Sequence, residues 1–449
     1  MNDASSKADD ARTSRREFIK KGSSLLVAGG MVAGSLSLAR GAHSFGSDTI
    51  KIGLVGCGGR GAGAAVQALN TTGGEVKLVA LGDAFGDRAQ AAYRGIKGQH
   101  GDKVDVPRDR IFSGFENYLG VLSCDIDMVL LATPPGFRPL HFEAAIGAGK
   151  HVFMEKPVAV DAPGVRRVLA AGRVAKDKEL AVAVGLQRRH EQAYQETIDA
   201  LKGGAIGDIN LTRAYWNGAG VWVRPRNDKQ TELEYQMRNW YYFNWLCGDH
   251  IVEQHIHNLD VINWLKDAYP VSAQGQGGRE VRKYRPGDPE SKDFGQIFDH
   301  HFVEFTYADG SKMFSQCRHI KNCWDAVNEY AHGSKGQADI GSGRIVDNEG
   351  KVIFQTRGTR DGHQQEHHDL FADLRAGRVP NEAEFGALST FTAIFGRRAT
   401  YTGQMLKWDE ELASEESLAN VDDFMTLDNE APVKPDENGL YPIPVPGVL

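Results

Sequence analysis

Residues 50–61 read IKIGLVGCGGRG, and this stretch decides the fold. The short apolar run, which contains β-branched residues and ends in glycine, predicts a buried parallel strand. Gly56, Gly58 and Gly61 then open a helical stretch, AGAAVQAL. Glycines at this spacing allow a tight turn, a close approach of the backbone to a diphosphate, and close packing of the helix on the strand. The stretch therefore predicts a strand, a turn and a helix whose N-terminus binds phosphate.

The segments that follow alternate between strand and helix. A second strand, EVKLVALGD, ends in Asp83, where a carboxylate accepts hydrogen bonds from the ribose hydroxyls of adenosine and repels a 2′-phosphate. IDMVLLATPP then predicts a strand, RPLHFEAAIGAGK a helix and HVFMEKP another strand. The alternation predicts an α/β protein with an N-terminal Rossmann domain, whose doubly wound parallel sheet binds its ligand at the carboxyl ends of the strands. Asp83 favours NAD over NADP as that ligand.

Two later features carry titratable side chains. Lys156 stands at a predicted strand end, where its ammonium can polarise a substrate hydroxyl as hydride leaves the same carbon. In CGDHIVEQHIHNLDVINWL, Asp249, Glu253 and His257 are spaced i, i+4 and i+8, so one helix would place all three on one face. Three such groups are costly to bury unless they serve a site or bind one another.

Three segments resemble signatures of the Gfo/Idh/MocA superfamily, which includes glucose-fructose oxidoreductase and inositol dehydrogenase: GKHVFMEKP, VGLQRRH and LKGGAIGDI. The resemblance extends along nearly the whole chain after residue 47. It implies a C-terminal α+β domain with a large, open, mostly antiparallel sheet, and the strand alternation of FDHHFVEFTYADG agrees with this. One departure stands out, because relatives often read TPN-x-x-H where this chain has TPPGFR at residues 133–138.

The resemblance also implies roles for individual residues. The family carries D-x-x-x-H-x-x-D-x-x-x-W where this chain has Glu253, His257, Asp260 and Trp264. It assigns His257 as the general base, Glu253 as the group that orients the imidazole or the substrate, and Lys156 as the polarising acid. Oxidation of an alcohol by hydride transfer requires a base of this kind, and imidazole titrates in the suitable pH range.

The predicted binding residues form two sets. The cofactor is expected to contact Gly56, Gly58, Gly59, Arg60, Gly61, Asp83, Thr133, Pro134, Glu155 and Lys156. The substrate is expected to contact Arg189, Trp240, Tyr241 and Asp249. RAYWNGAGVWVRPR and MRNWYYFNWLCGDH are expected to be loops whose rings either stack on sugar faces or belong to the core. No metal site is predicted, because the helically spaced pair His363 and His367 lacks an obvious third ligand.

The N-terminus differs in character from the rest of the chain. TSRREFIKKGSS precedes an apolar run rich in Gly, Ala and Ser, and together they resemble a twin-arginine export signal. We expect an export signal and linker (1–47), an NAD-binding domain (48–185), a substrate-binding and oligomerisation domain (186–405) and an extended tail (406–449) that wraps a neighbour. Twin-arginine export moves folded proteins, so the expected location is the periplasm, the export machinery is a partner, and NAD is tightly bound.

Composition narrows the classes of function. The chain of 449 residues has a net charge of −7 and no basic excess, which argues against nucleic acid as a partner. Its five cysteines contain no CxxC pair, which argues against a disulfide framework or a zinc knuckle.

Three functions stay open. The first is an NAD(P)-dependent oxidoreductase that acts on a CH–OH group of a sugar, cyclitol or sugar derivative and forms a homodimer or homotetramer through its C-terminal sheet. The second is a glycoside-cleaving enzyme that uses NAD transiently, by oxidation and elimination. The third is a non-catalytic protein that binds dinucleotide or sugar. The presence of Lys156, Glu253 and His257 favours the first two.

Replacement of Arg15 and Arg16 by lysine should leave the folded, active holo-protein in the cytoplasm, because the export machinery recognises the arginine pair. Cell fractionation with an activity assay measures the distribution. Delivery of this double variant to the periplasm at the wild-type level would contradict the export prediction.

Overall fold

The first sheet consists of six parallel strands. The computed structural model describes residues 49–285, 288, 291–359 and 361–448, so the expected export signal lies outside the described residues. The strands are β1 (Ile50–Val55), β2 (Val76–Asp83), β3 (Ile111–Ser113), β4 (Met128–Leu131), β5 (His151–Met154) and β6 (Val182–Val184). Their order is β3-β2-β1-β4-β5-β6, with helices Gly59–Leu69, Gly86–His100, Asn117–Ser123, Arg138–Gly147 and Ala162–Asp177 between them. The predicted doubly wound Rossmann sheet is confirmed.

Successive residues of β1 belong to two separate cores, one on each face of this sheet. Val55 packs with Val129 in one core, whereas Ile52 and Leu54 pack in the other. All four side chains are completely buried. Because both faces are covered, the strand is apolar at consecutive positions instead of alternate ones. The strand order changes direction between β1 and β4, since β2 and β3 follow on one side of β1 and β4, β5 and β6 on the other. A sheet of this kind binds its ligand at this switch point.

The second sheet has nine strands and is mostly antiparallel. They are β7 (Ile209–Gly218), β8 (Ser272–Gly278), β9 (His300–Thr306), β10 (Lys312–His319), β11 (Ala326–Gly333), β12 (Gly336–Asp339), β13 (Arg344–Asp347), β14 (Val352–Gln355) and β15 (Leu406–Lys407). Their order is β14-β13-β12-β11-β7-β10-β9-β8-β15. β7 and β10 pair in parallel, whereas their other neighbours, β11 and β9, run antiparallel to them. The predicted C-terminal α+β domain is confirmed.

One face of the second sheet is covered by helices. The helices after residue 186 are Gln192–Lys202, Glu232–Arg238, Asn244–Cys247, His250–Glu253, Ile256–Lys266, Gly362–Arg375, Ala383–Thr402 and Trp408–Leu412. Gly362–Arg375 packs on the helix Gly59–Leu69 of the first domain. Ala383–Thr402 contacts β8 and β9 and also packs on Ala162–Asp177 of the first domain, so it joins the two domains. Within the described ranges, no helix combines the length and the apolar character that crossing a membrane requires.

The expectation that the aromatic-rich segments are loops is wrong for residues 213–218 of the first, which belong to β7, and for most of the second, which forms short helical turns, whereas residues 219–226 contain no helix or strand. Tyr215 and Trp216 lie in β7, where successive side chains point to opposite faces of the sheet. Trp216 therefore points toward the helices, and Tyr215 lies on the open face against Tyr330, with 5.8 Å between the ring centroids. In the second segment, Trp240 begins a short 3₁₀ turn. Both faces of the strand carry aromatic residues, which hides the alternation in the sequence.

The tail packs on its own chain. The ring of Phe424 lies 5.6 Å from that of Phe115 in the first domain and 5.5 Å from that of Trp245 in the second. Further along, Tyr441 packs against Phe243 with 5.0 Å between the ring centroids. These contacts bury Phe424 and Tyr441 within one protomer, so the tail is a clamp across the two domains of its own chain, whereas the sequence suggested a neighbouring copy.

Phe424→Ala should lower the free energy of unfolding by about 3 kcal/mol, because it removes a buried ring and leaves a cavity between the domains. Chemical denaturation followed by tryptophan fluorescence measures the loss. Met425→Ala serves as the control, since Met425 is 55% exposed. Equal stability of the two variants would show that the tail does not pack in this position in solution.

Candidate active site

A cavity of about 450 Å³ lies at the carboxyl ends of the Rossmann strands, between the two domains. Every residue predicted to bind the cofactor lines it: Gly56, Gly58, Gly59, Arg60, Gly61, Asp83, Thr133, Pro134, Glu155 and Lys156. The second domain contributes Trp222, Arg224, Met237, Trp240, Glu253, His257 and His363. The cavity therefore combines the predicted cofactor-binding residues with all three predicted catalytic residues.

The glycine turn after β1 has no room for a side chain at Gly56 or at Gly61. Gly56 has a φ of +95°, and a Cβ atom there would lie 2.5 Å from the backbone of Thr133. A Cβ atom at Gly61 would lie 1.9 Å from the carbonyl oxygen of Gly56. The helix that begins at Gly59 thus packs closely against the turn. Its first N–H groups face the carboxyl edge of the sheet. This arrangement fits a dinucleotide diphosphate.

Asp83 supports the same turn from the end of β2. Its carboxylate accepts hydrogen bonds from the backbone N–H groups of Cys57 at 2.7 Å and Phe85 at 2.9 Å. Burial raises the pKa of Asp83, although these two N–H groups oppose the rise. Each carboxylate oxygen has a second lone pair, so Asp83 can also accept ribose hydroxyls in the cavity. The carboxylate therefore orders the glycine turn as well as the predicted ribose site.

Lys156 joins the two domains at the floor of the cavity. Its ammonium donates to the backbone carbonyl of Glu253 at 2.6 Å and lies 3.3 Å from a carboxylate oxygen of the same residue. Both side chains are largely buried. The preceding residue, Glu155, forms an ion pair with Arg60 at 2.6 Å. Two adjacent residues at the end of β5 thus connect the glycine turn on one side with the second domain on the other.

His257 lies beside this contact. Its imidazole is stacked near Trp216, with 5.9 Å between ring centroids and 23° between ring planes. Burial, together with the nearby cations of Lys156 and Arg188, holds the pKa of His257 well below its usual value. Nδ1 has no hydrogen-bond partner among the described residues. The imidazole is therefore neutral at ordinary pH, and it is a weaker base than an exposed histidine.

Glu253 is bound to Lys156, and no hydrogen bond joins it to His257 within the described part of the chain. Burial raises the pKa of Glu253, whereas the Lys156 ammonium opposes the rise. Glu253 was predicted to orient the imidazole or the substrate. In the structure its carboxylate instead holds the Lys156 ammonium beside His257. Orientation of the substrate by Glu253 stays a prediction.

The single helix expected for Asp249, Glu253 and His257 is wrong. One short helix ends at Glu253, and the next begins at Ile256. Asp249 caps the first helix with a φ of +75°. Its fully buried carboxylate accepts hydrogen bonds from the N–H of Phe298 at 2.9 Å and the hydroxyl of Tyr401 at 2.6 Å. Because of the break and the positive φ, Asp249 lies outside the cavity, although it was expected to bind the substrate.

Asp249 also lies close to His250 and His301, and donor atoms of the three side chains lie within 4.8 Å of one another. Such a group can in principle hold a metal ion, but the hydrogen bonds from Phe298 and Tyr401 already occupy lone pairs of the carboxylate. The other pair considered from the sequence separates in space. His363 lines the cavity, and His367 is buried on the ring of Phe153 at 4.3 Å.

Arg189 does not line the cavity. It forms a bidentate ion pair with Asp260, both distances being 2.8 Å, and its guanidinium lies 4.0 Å from the ring centroid of Phe385. The adjacent Arg188 points the other way, toward Trp216 and the buried Glu329. The 3₁₀ turn Gln187–His190 separates the two neighbouring side chains in this way. The substrate-binding role expected of Arg189 therefore does not match its position.

Of the two aromatic residues expected to contact the substrate, Trp240 lines the cavity and Tyr241 does not. Trp240 lines the cavity and packs edge-on against Trp222, with 6.1 Å between the ring centroids. Tyr241 is 3% exposed, belongs to the core and does not line the cavity. Cavity residues that the sequence reasoning missed include Arg138, Arg224 and Met237. None of them carries a local pattern, so the three-dimensional structure is needed to find them.

The cavity, the glycine turn and the switch point define the first domain as a dinucleotide-binding one, and residues 50–186 match the family described as "Oxidoreductase family, NAD-binding Rossmann fold". Inositol 2-dehydrogenase of Rhizobium meliloti (strain 1021) is 27% identical over 338 residues, which cover 75% of this chain and 87% of that protein. Inositol 2-dehydrogenase of Agrobacterium fabrum (strain C58) is 31% identical over 226 residues, which cover 50% of this chain and 57% of that protein.

Solved structures share the two-domain fold. The scyllo-inositol dehydrogenase of Lactobacillus casei with bound NAD(H) and scyllo-inositol is 21% identical, has a TM-score of 0.60, and is matched over 80% of this chain and 99% of that chain. The oxidoreductase domain protein of Kribbella flavida is 18% identical, with a TM-score of 0.65 and the same coverage. Residues 50–186 are thus similar to an NAD-binding Rossmann domain, and the second domain has the same fold as in these structures.

His257 should titrate well below the ordinary histidine pKa of 6.5, because it is buried beside two cations. NMR of protein labelled with ¹³C at histidine Cε1 measures the titration, and a His257→Gln variant identifies the resonance. Lys156→Met removes one cation and should raise the midpoint. A wild-type midpoint at or above 6.5 would contradict the electrostatic description.

Proposed function

We propose that the protein is an NAD-dependent oxidoreductase that transfers hydride between the cofactor and a CH–OH group of a cyclitol, sugar or sugar derivative. The observation that carries the proposal is that Lys156 of the first domain and His257 of the second line the same cavity as the glycine turn and Asp83. A polarising cation, a neutral base and a dinucleotide cradle therefore meet at one place.

The glycine turn after β1 has a shape that fits the diphosphate of NAD. Cβ atoms at Gly56 and Gly61 would collide with backbone atoms, whereas a Cβ at Gly58 or Gly59 would meet no atom within 4 Å, so the backbone there borders open space in which a diphosphate fits. The N–H groups of Gly58 and Gly59 would hold the diphosphate and Asp83 the adenosine ribose, while Gly56, whose N–H donates to the carbonyl of Gly82 at 2.8 Å, and Gly61 shape the turn. The chemistry that NAD supplies when bound is the acceptance of a hydride from the carbinol carbon.

The residues of the chain then handle the proton. The ammonium of Lys156 has three N–H donors. Two of them donate to the backbone carbonyl and the carboxylate of Glu253, so the third is left for the substrate oxygen. This N–H stabilises the negative charge that develops on the oxygen. The neutral imidazole of His257 accepts the hydroxyl proton as the carbonyl forms. The alcohol loses one hydride and one proton, and the charges balance.

The substrate class rests on two supports. Relatives named inositol 2-dehydrogenase match this chain, one of them over 87% of its length. The rim of the cavity carries Trp222 and Trp240, whose ring faces suit the apolar faces of a sugar or cyclitol. We extend the proposal accordingly to polyhydroxylated rings.

Three further features belong to the proposal. Export through the twin-arginine route into the periplasm rests on the pair Arg15 and Arg16, and tight retention of NAD follows from it, because free dinucleotide is scarce outside the cytoplasm. Self-association through the second sheet rests on its open face, where Phe302 is 36% exposed and packs beside Phe314. A homodimer or homotetramer would cover these rings.

His257→Ala should retain folding and bound NAD yet lower the rate constant of hydride transfer by about 10²- to 10⁴-fold, the usual contribution of positioned proton transfer. Single-turnover formation of NADH, followed by absorbance with a panel of cyclitols, sugars and glycosides, measures it. Lys156→Ala should be comparably impaired. His300→Ala is the matched control, because His300 lies on β9 away from the cavity.

The panel also tests the class of reaction. Persistent NADH with a ketone product supports the proposed oxidoreductase. Release of an aglycone from a glycoside without net reduction would instead assign cleavage by transient oxidation. A wild-type protein that binds no dinucleotide, or a His257→Ala variant with near-normal hydride transfer, would refute the proposal.

A further inference from the structure

Arg138 is a buried cation at the cavity that the proposed function does not use. It begins the helix Arg138–Gly147, directly after the loop that follows β4, and it is 1% exposed. One guanidinium nitrogen, Nη2, donates to the carbonyl oxygen of Thr133 at 2.6 Å. Nε and Nη1 are buried and have no hydrogen-bond partner among the described residues. The side chain nevertheless lines the cavity.

Glu155 is the carboxylate whose charge acts on Arg138, but it does not form an ion pair with the Arg138 guanidinium. Glu155 forms its ion pair with Arg60 at 2.6 Å, and no carboxylate of the described residues lies within 4.0 Å of an Arg138 nitrogen. Burial lowers the pKa of Arg138 to about 10, while the charge of Glu155 partly opposes the change, so the guanidinium stays protonated at neutral pH. An unpaired buried cation is expensive. Its presence beside a cavity indicates that a bound molecule supplies the missing acceptor.

The position of Arg138 in the sheet identifies which part of a dinucleotide it faces. Asp83 marks the adenosine end at β2, and the glycine turn after β1 marks the diphosphate. The strand order places β4 and β5 on the other side of β1. Arg138 follows β4 and lies near Glu155 at the end of β5, which is the side left for the nicotinamide half.

We propose that Arg138 is a cofactor-binding residue whose free N–H groups donate to an oxygen of the nicotinamide half of bound NAD, the carboxamide oxygen in particular. This assignment rests on the proposed function. A cation at this position also distinguishes the redox states of the cofactor, because the oxidised ring carries a positive charge and the reduced ring does not. Arg138 therefore favours NADH over NAD⁺ in the binding equilibrium.

The test compares Arg138→Met with the wild-type protein, each stripped of nucleotide and titrated with NADH, NAD⁺ and ADP-ribose by calorimetry. Loss of a charge-assisted hydrogen bond should weaken NADH binding by about ten- to hundredfold. NAD⁺ should lose less affinity, because the repulsion of its ring disappears as well. A tenfold change in the ratio of the two dissociation constants corresponds to about 30 mV in the potential of the bound couple. ADP-ribose, which lacks the nicotinamide, should bind as before.

Arg397→Met is the matched control. Arg397 is also buried and also donates to a backbone carbonyl, that of Gly248 at 3.1 Å, but it does not line the cavity. It should lose stability without a change in NADH affinity. A purely structural Arg138 would behave in the same way, with a lower melting temperature and unchanged affinities, and that result would overturn the proposal.

The other outcomes are equally decisive. Equal losses for NADH and ADP-ribose would place the contact at the diphosphate or its ribose and overturn the assignment to the nicotinamide half. If Arg138→Met does not fold, Arg138→Lys and a crystal structure of the wild-type protein with NADH replace it, and a guanidinium more than about 4 Å from every NADH oxygen would refute the contact. A wild-type protein without affinity for any dinucleotide would refute the proposed function itself.

Discussion

The contact between Lys156 and Glu253 is the interaction on which the cavity depends. A strand of the Rossmann sheet ends at Met154, and two residues later the ammonium donates to a backbone carbonyl of the second domain at 2.6 Å. Because the acceptor is a main-chain atom at a helix end, the contact fixes the position of that helix as well as its side chain. The next helix carries His257 to the same cavity. One hydrogen bond thus relates the position of the proposed base, His257, to that of the proposed polarising cation, Lys156.

The electrostatics of the site follow from this arrangement. Burial and two nearby cations lower the pKa of His257, so its imidazole is neutral and is a weaker base than an exposed histidine. A buried carboxylate would ordinarily be neutral as well, but the Lys156 ammonium opposes that tendency in Glu253. The same cation therefore acts on both groups: it adds to the effect of burial in lowering the pKa of His257, and it opposes the rise that burial causes in the pKa of Glu253.

The sequence predicts the first domain more completely than the second. The glycine spacing, Asp83 and the strand–helix alternation are local features, and all of the predicted cofactor residues line one cavity. The positions of the Asp249 and Arg189 side chains depend on backbone geometry that the spacing of residues in the sequence does not reveal. A positive φ and a helix break turn Asp249 away, and a 3₁₀ turn directs Arg189 toward Asp260. The packing of the tail depends on rings that are more than a hundred residues apart in sequence.

The charge of the cavity differs from that of the chain. The protein has a net charge of −7, yet the cavity lining contains more cations than carboxylates: Arg60, Arg88, Arg138, Lys156 and Arg224 against Asp83, Glu155 and Glu253. A concave site with low-dielectric walls concentrates the field of such groups, so an anionic ligand is attracted there and the surrounding surface does not compete for it. A dinucleotide carries its negative charge on the diphosphate. The acidic surface and the cationic cavity together thus favour one binding position, and at the predicted ribose site the carboxylate of Asp83 would repel a 2′-phosphate and accept a free 2′-hydroxyl.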